Sequence, residues 1–218
     1  MTARAVLWDL DGTLVDSEDY HWRSWQHALS LDGVSVTYDA FKSTFGQRNE
    51  GILRGWLGAD APLERINRIA DAKEVEYRRL AAAYGLTPLP GAAEWLVRLQ
   101  ARGWKQAIAS SAPRLNVDVM LRALRLERYF DAIVSSEDVT RGKPEPDVFL
   151  TAAARLGASP ATCVVVEDAA AGIEAARRAG MRSVGVSRSA PLAADIAVAS
   201  LEHLPEDVFD RLLADRMA

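Results

Sequence analysis

With 218 residues, 49% of them hydrophobic, the chain has enough apolar material for one large domain or a domain that carries an insertion. A formal charge of −4 and a pI near 5.5 supply no basic face for a nucleic-acid backbone, so nucleic acid is excluded as an expected partner. The N-terminus meets Arg4 and Asp9 too early for a secretory leader, and no apolar stretch nears the ~20 residues of a membrane span, so a cytoplasmic protein with no membrane contact is expected.

In chain order, the first expected element is a short buried strand in "VLWDLDGTLVD", Val6 to Asp16, where the apolar run gives way to Asp9, Asp11 and a Gly-Thr pair. Residues from about Ser17 to Leu86 read as consecutive helices: "EDYHWRSWQHALSLDG", "YDAFKSTFG", "NEGILRGWLG" and the long "PLERINRIADAKEVEYRRLAAAYG", closed by the turn-forming "TPLPG". Beyond that turn, the apolar runs "WKQAIASS", "FDAIVSS", "ATCVVVED" and "RSVGVS" alternate with the helical patterns "GAAEWLVRLQARG", "RLNVDVMLRALRL", "DVFLTAAARLG" and "AAGIEAARRAG". Strands alternating with helices of this length predict an α/β fold, a doubly wound parallel sheet covered on both faces. The expected division is a core of residues 1–16 and 87–218, with a helical cap of residues 17–86 inserted behind the first strand. Ligands of such sheets collect at the carboxyl ends of the strands, so a cap attached there is placed to act as a lid. Cys163, the one cysteine, lies in an apolar run and is expected as a packed core thiol, which leaves no disulfide within the chain.

Chemistry concentrates at the polar strand ends. Asp9 and Asp11 stand two apart, so on extended backbone they face one side. Glu167 and Asp168 end another run, and if that strand neighbours the first, up to four carboxylates converge. Such a cluster repels itself unless some groups protonate or a divalent cation binds, and oxygen-only ligands suit Mg2+. The competing reading of each strand-end carboxylate is a helix N-cap, strongest for Asp168 before "AAAGIEAA". "IASSAP" adds hydroxyls at Ser110 and Ser111, and "RGKPEPD" sets Lys143 before a proline that restricts its direction. Taken singly, Ser110 reads as a capping hydroxyl and Lys143 as a solvated charge. Together, a carboxylate nucleophile, a second carboxylate as acid and base, a metal, a hydroxyl donor and an ammonium make the set that phosphoryl transfer through an aspartyl phosphate requires.

The segments "DLDGTLVD", "ASS", "GKPEPD" and "VVVEDAAAGIEAARRAGM" resemble, in order, the four motifs of the haloacid dehalogenase-like superfamily, in its phosphatase and β-phosphoglucomutase branch, over residues 4 to about 186. The resemblance implies Asp9 as nucleophile, Asp11 as general acid and base, and Mg2+ held by Asp9, the backbone carbonyl of Asp11, Glu167 and Asp168. It implies that Ser110 and Lys143 hold the transferring phosphoryl oxygens, with backbone amides around Leu10 and Asp11 donating to the same group. "EDYHWRSWQHAL" is similar to the first cap helix of this branch, including His21, and "KEVEY" puts Lys73 where the branch often has a cap lysine. That pair is expected to couple cap closure to proton transfer at Asp11. Arg48 is expected at the polar end of the substrate, because guanidinium suits phosphate or carboxylate. Tyr20, Trp22, Trp25 and Trp56 are expected as cap core before a sugar-stacking surface.

Asp11 argues against a dehalogenase, which shares the nucleophile but lacks the second aspartate. A receiver-like signalling module, the non-enzyme alternative, carries its acceptor aspartate on a middle strand and has no helical insertion behind it. β-Phosphoglucomutases typically follow the motif-two serine with a Ser-Lys-Asn stretch for the phosphate not being transferred, where this chain has Ala112, Pro113 and Arg114. Ser111 and Arg114 are then the remaining candidates for substrate contact in this segment. The expectation is a monomeric magnesium-dependent phosphatase of a small phosphorylated metabolite, a sugar or polyol phosphate, with a phosphosugar mutase as the alternative.

Overall fold

The computed structural model describes residues 3–214. Strand β1 (Ala5–Trp8) is followed by four helices, α1 (Glu18–Ser30), α2 (Tyr38–Lys42), α3 (Asn49–Leu57) and α4 (Leu63–Tyr84). The chain continues through α5 (Ala92–Ala101), β2 (Lys105–Ala109), α6 (Arg114–Leu124), β3 (Ala132–Val134), α7 (Asp147–Leu156) and β4 (Cys163–Glu167). It closes with α8 (Ala170–Arg178), β5 (Arg182–Val186), β6 (Ile196–Val198) and α9 (Val208–Ala214). Every pairing is parallel and the order is β3-β2-β1-β4-β5-β6, so the sheet is doubly wound and its direction of winding reverses at β1.

Alternation along the central strands explains the two covering layers. Val6 and Trp8 of β1 join Ile108, Val164 and Val166 on one face, packed under Trp95, Leu96, Val117 and Phe209 from α5, α6 and α9. Ala5 and Leu7 join Ala107, Ala109 and Val165 on the other, under Phe149 and Ala152 of α7 and Ala175 and Ala176 of α8. Cys163 belongs to this second layer, and burial pushes its thiol up to about 12, which suits a core residue. Two elements escaped the sequence reading: β6, a three-residue edge strand whose side chains are half exposed, and α9, a short helix that closes the first layer. Neither has the run length that a periodic pattern needs.

Helices α1–α4 build a core of their own from Trp25, Leu29, Phe41, Leu53, Ile66 and Ile69, with Trp22 and Trp56 packed against it. The segments that enter and leave this helical unit lie side by side: Asp16 N–H donates to the Thr87 carbonyl at 3.0 Å, and Leu89 N–H to the Leu14 carbonyl at 2.9 Å. The excursion therefore begins and ends at one place, directly beyond the carboxyl end of β1. Among the described residues no helix is long and apolar enough to cross a membrane.

Candidate active site

β1 pairs with β2 on one side and β4 on the other, and Asp9 N–H still donates to Val166 at 2.9 Å, so this residue leaves the sheet in a fixed direction. Beyond it the chain curls into a tight loop, with the Leu10 carbonyl accepting from Leu14 and Val15 at 3.0 and 3.1 Å while Leu10's side chain is buried. The curl requires Gly12 at φ +81°, and a Cβ there would meet Asp168 Oδ2 at 2.1 Å. Gly172 serves the same end on α8: a Cβ would lie 1.9 Å from Glu167 Oε1, so the helix makes room for a buried carboxylate.

Lys143 is buried between two carboxylates, with Nζ donating to Asp9 Oδ1 and to Glu167 Oε1 at 2.5 Å each. Burial alone would lower its pKa, but Asp9 and Glu167 raise it, so it stays an ammonium. Two carboxylates thus share one cation. Asp9 is pushed up to about 8, by burial first and then by repulsion from Glu167 and Asp11 against the pull of Lys143. Asp168 is also raised, by burial and then by Glu167 and Asp9. It is not a helix cap: Ala169 holds that position, and it is Glu167 Oε2 that accepts the Ala169 N–H at 2.8 Å. Among the described residues Asp168's carboxylate accepts one long hydrogen bond, from Thr13 Oγ1 at 3.4 Å. Oxygens of Asp9, Glu167 and Asp168 lie within 4.8 Å of one another, three carboxyl groups against one ammonium with lone pairs to spare, an all-oxygen set that fits Mg2+.

A cavity opens above this floor, lined by Asp9, Asp11, Ser110 and Ser111 below and by His21, Asn49, Lys73 and Glu74 above. Ser110 is buried and its Oγ accepts the Ala112 N–H at 3.0 Å, so the capping role exists and still leaves the hydroxyl proton available. Asp11 Oδ1 accepts from Ser17 Oγ at 2.6 Å and lies 2.9 Å from His21 Nε2. Burial would raise Asp11, but His21, Ser17 and Lys73 outweigh it and hold the carboxyl below its usual range. His21 stacks on Tyr77 with ring centres 4.3 Å apart.

Two expected substrate contacts point elsewhere. Arg48 does not line the cavity; its guanidinium donates to the carbonyls of Ser136 and Val139 at 2.6 Å and of Thr140 at 3.0 Å, tying the start of α3 to the core. Arg114 is held outside by Asp118, 2.9 Å from its Nε, because its position on the first turn of α6 faces away from the cavity. Of the four cap aromatics, Trp25 reaches the cavity wall; Trp22 and Trp56 pack in the helical unit, and the Tyr20 hydroxyl donates to Gly85 at 2.9 Å. Sequence reasoning passed over Glu74, Tyr77 and Asn116. A signal existed, since the charged pair Lys73–Glu74 falls on a stripe of α4 that is otherwise apolar and buried.

Known proteins resemble this chain in sequence and in fold. The model of the haloacid dehalogenase-like hydrolases matches residues 6–186. A β-phosphoglucomutase of Bacillus subtilis is 36% identical over 92% of this chain and 91% of its own length, and a fructose-1-phosphate phosphatase of Escherichia coli is 32% identical over 83% and 95%. The crystal structure of a β-phosphoglucomutase from Clostridium difficile superposes with a TM-score of 0.88 at 26% identity, covering 99% of both chains. The chain belongs to the haloacid dehalogenase-like hydrolases, as an enzyme of the branch that holds β-phosphoglucomutase and the sugar phosphate phosphatases.

Proposed function

We propose that the chain is a magnesium-dependent phosphatase that hydrolyses a sugar or polyol phosphate through a phosphoryl group carried on Asp9, with α1–α4 as its cap. The charge balance of the cavity supports this best. Asp9, Lys143, Glu167 and Asp168 gather where one phosphoryl group would bind, whereas a second anion would meet a single lysine, Lys73, already paired with Glu74 at 2.8 Å. A mutase has to hold a second phosphate while its intermediate is kept from water.

Asp9, Asp168 and the Asp11 backbone carbonyl, with Glu167 behind them, would hold Mg2+, which when bound neutralises the carboxylates so that a dianionic phosphate can approach. In the first half-reaction an Asp9 oxygen attacks phosphorus, and the bond to the leaving alkoxide breaks as Asp11 gives that oxygen a proton. In the second, Asp11 takes a proton from water, whose oxygen attacks the same phosphorus and frees Asp9 and inorganic phosphate. Ser110 and Lys143 donate to the phosphoryl oxygens where charge builds. The lowered pKa of Asp11 favours the base form needed second; for the first half, a dianionic phosphate beside it raises the carboxyl and lets it hold the proton it must give. His21 belongs to the cap, so this proton relay is complete only with the cap closed.

Phosphate release from a panel of sugar and polyol phosphates, with and without magnesium, tests the reading. β-Glucose 1-phosphate with a trace of glucose 1,6-bisphosphate should yield more free phosphate than glucose 6-phosphate. Rapid isomerisation with negligible phosphate release would overturn it in favour of the mutase.

A further inference from the structure

Glu74 takes no part in the phosphoryl chemistry, yet it is a charged group built into the cavity wall with 6% of its surface exposed. Its Oε1 accepts from Lys73 Nζ at 2.8 Å and Asn49 Nδ2 at 2.7 Å, and its Oε2 from Asn116 Nδ2 at 2.5 Å. Asn116 is in turn held by Arg78 at 2.8 Å, so the carboxylate is fixed by donors from α3, α4 and the core helix α6. Burial would raise its pKa, but Lys73, His21 and Asn49 bring it below the usual range, so it remains an anion.

That anion changes what the roof can bind. Lys73 is the only lysine or arginine among the residues lining the cavity, and Glu74 cancels its charge. Of the rest of the upper wall, His21 is taken up by Asp11 at 2.9 Å, Thr44, Gln47 and Asn49 are neutral polar groups, and Trp25, Phe41 and Ile52 are apolar. A carboxylate has about four lone-pair sites and three are taken here, which leaves one acceptor position for a hydroxyl. A second phosphate brought to this wall meets a fixed negative charge and no free cation.

We propose that Glu74 is a specificity-determining residue that restricts the site to substrates with one phosphate and an uncharged, hydroxyl-bearing remainder, and rejects sugar bisphosphates. This deepens the phosphatase reading and rests on it. The test compares kcat/KM for fructose 1-phosphate with fructose 1,6-bisphosphate, and for glucose 6-phosphate with glucose 1,6-bisphosphate, in the wild type and in Glu74→Gln. The wild type should prefer each monophosphate by at least about tenfold, and Glu74→Gln, equal in shape but uncharged, should shrink that preference by about tenfold through the KM of the bisphosphate. Equal wild-type values for the two members of each pair, or an unchanged ratio in a folded Glu74→Gln, would overturn the assignment. Calorimetric titration of Asp9→Asn protein with the same pairs reads the preference without turnover and without touching Glu74. Tighter binding of the monophosphates there, with no turnover of either compound by the wild type, would sink the phosphatase reading and leave Glu74's selectivity standing; bisphosphates bound as tightly would sink the selectivity itself.

Discussion

The floor of the cavity is carried by β1, β2 and β4, each hydrogen-bonded to a strand on both sides, and the residues that leave their carboxyl ends have little freedom of direction. Its roof is carried by α1, α3 and α4, which pack on their own apolar cluster and reach the floor through side chains. His21 meets Asp11, Phe45 lies over Gly12, Glu74 meets Asn116, and Arg48 meets three core carbonyls. As it stands the space left between floor and roof is ≈ 50 Å³, room for a few waters at about 10–15 Å³ each and too little for a sugar phosphate. In the proposed cycle the roof lifts to admit the substrate while the floor keeps its geometry. In this proposal the reaction resides in the floor, and the choice of substrate and the moment of reaction reside in the roof.

The comparison breaks first if the floor is not where the chemistry is. Asp9→Asn should lower kcat by at least about a thousandfold with the fold intact by circular dichroism, because an amide of nearly the same volume cannot attack phosphorus. Fluoroberyllate should trap a phosphoenzyme analogue on the wild type and not on this variant; turnover that survived in saturating magnesium would end the covalent mechanism. Next in size, Asp168→Ala should raise the magnesium needed for half-maximal activity by about 10–100-fold, and excess chelator should abolish turnover. The floor should also carry a pH signature in chelator. Asp9 binds its proton more tightly folded, at about 8, than at its ordinary 3.8, so the folded state holds more protons between those values and its stability falls as pH rises through them. Magnesium should flatten that slope in a thermal melt.

Legibility in the sequence divided along the same line. Strand ends can be read from short apolar runs that stop at polar residues, and Asp9, Ser110, Lys143 and Asp168 each stand where a run or its following loop ends. Geometry there follows from backbone pairing, which a linear pattern encodes. Roof contacts depend on which face of one helix meets another, and Arg48 illustrates the loss. Its guanidinium was expected on a substrate anion, but carbonyls of residues 136–140, some ninety positions away, face the start of α3 and take its donors. Glu74 carries a local mark, a charge on the buried stripe of α4, but its partner Asn116 is forty-two positions along and no pattern in the sequence joins the two.

Arg48 offers the next test, of how firmly the roof is tied down. Arg48→Ala removes the donors of three carbonyls and should destabilise the protein by about 1–3 kcal/mol in urea unfolding. Arg48→Lys should recover little of this, since one ammonium cannot reproduce the planar fork. An unchanged urea midpoint with a raised KM would instead return Arg48 to the substrate contact that its sequence position suggests.

The smallest expected effect separates floor from roof by its sign. Glu74's carboxyl sits below its ordinary 4.5 in the folded state, so folding binds fewer protons there than the unfolded chain does. Its ion pair and amide contacts therefore contribute their full stability above about pH 4.5 and lose it as pH falls through the lowered folded value, the reverse of the Asp9 contribution in chelator. Melting the wild type and Glu74→Gln side by side from pH 7 to pH 3 should show a wild-type advantage at neutral pH that closes on the acid side. A gap that stayed constant over this range would mean that the folded protein does not hold Glu74 below its ordinary value, and the contacts from Lys73, Asn49 and Asn116 would then not be what favours its charged form.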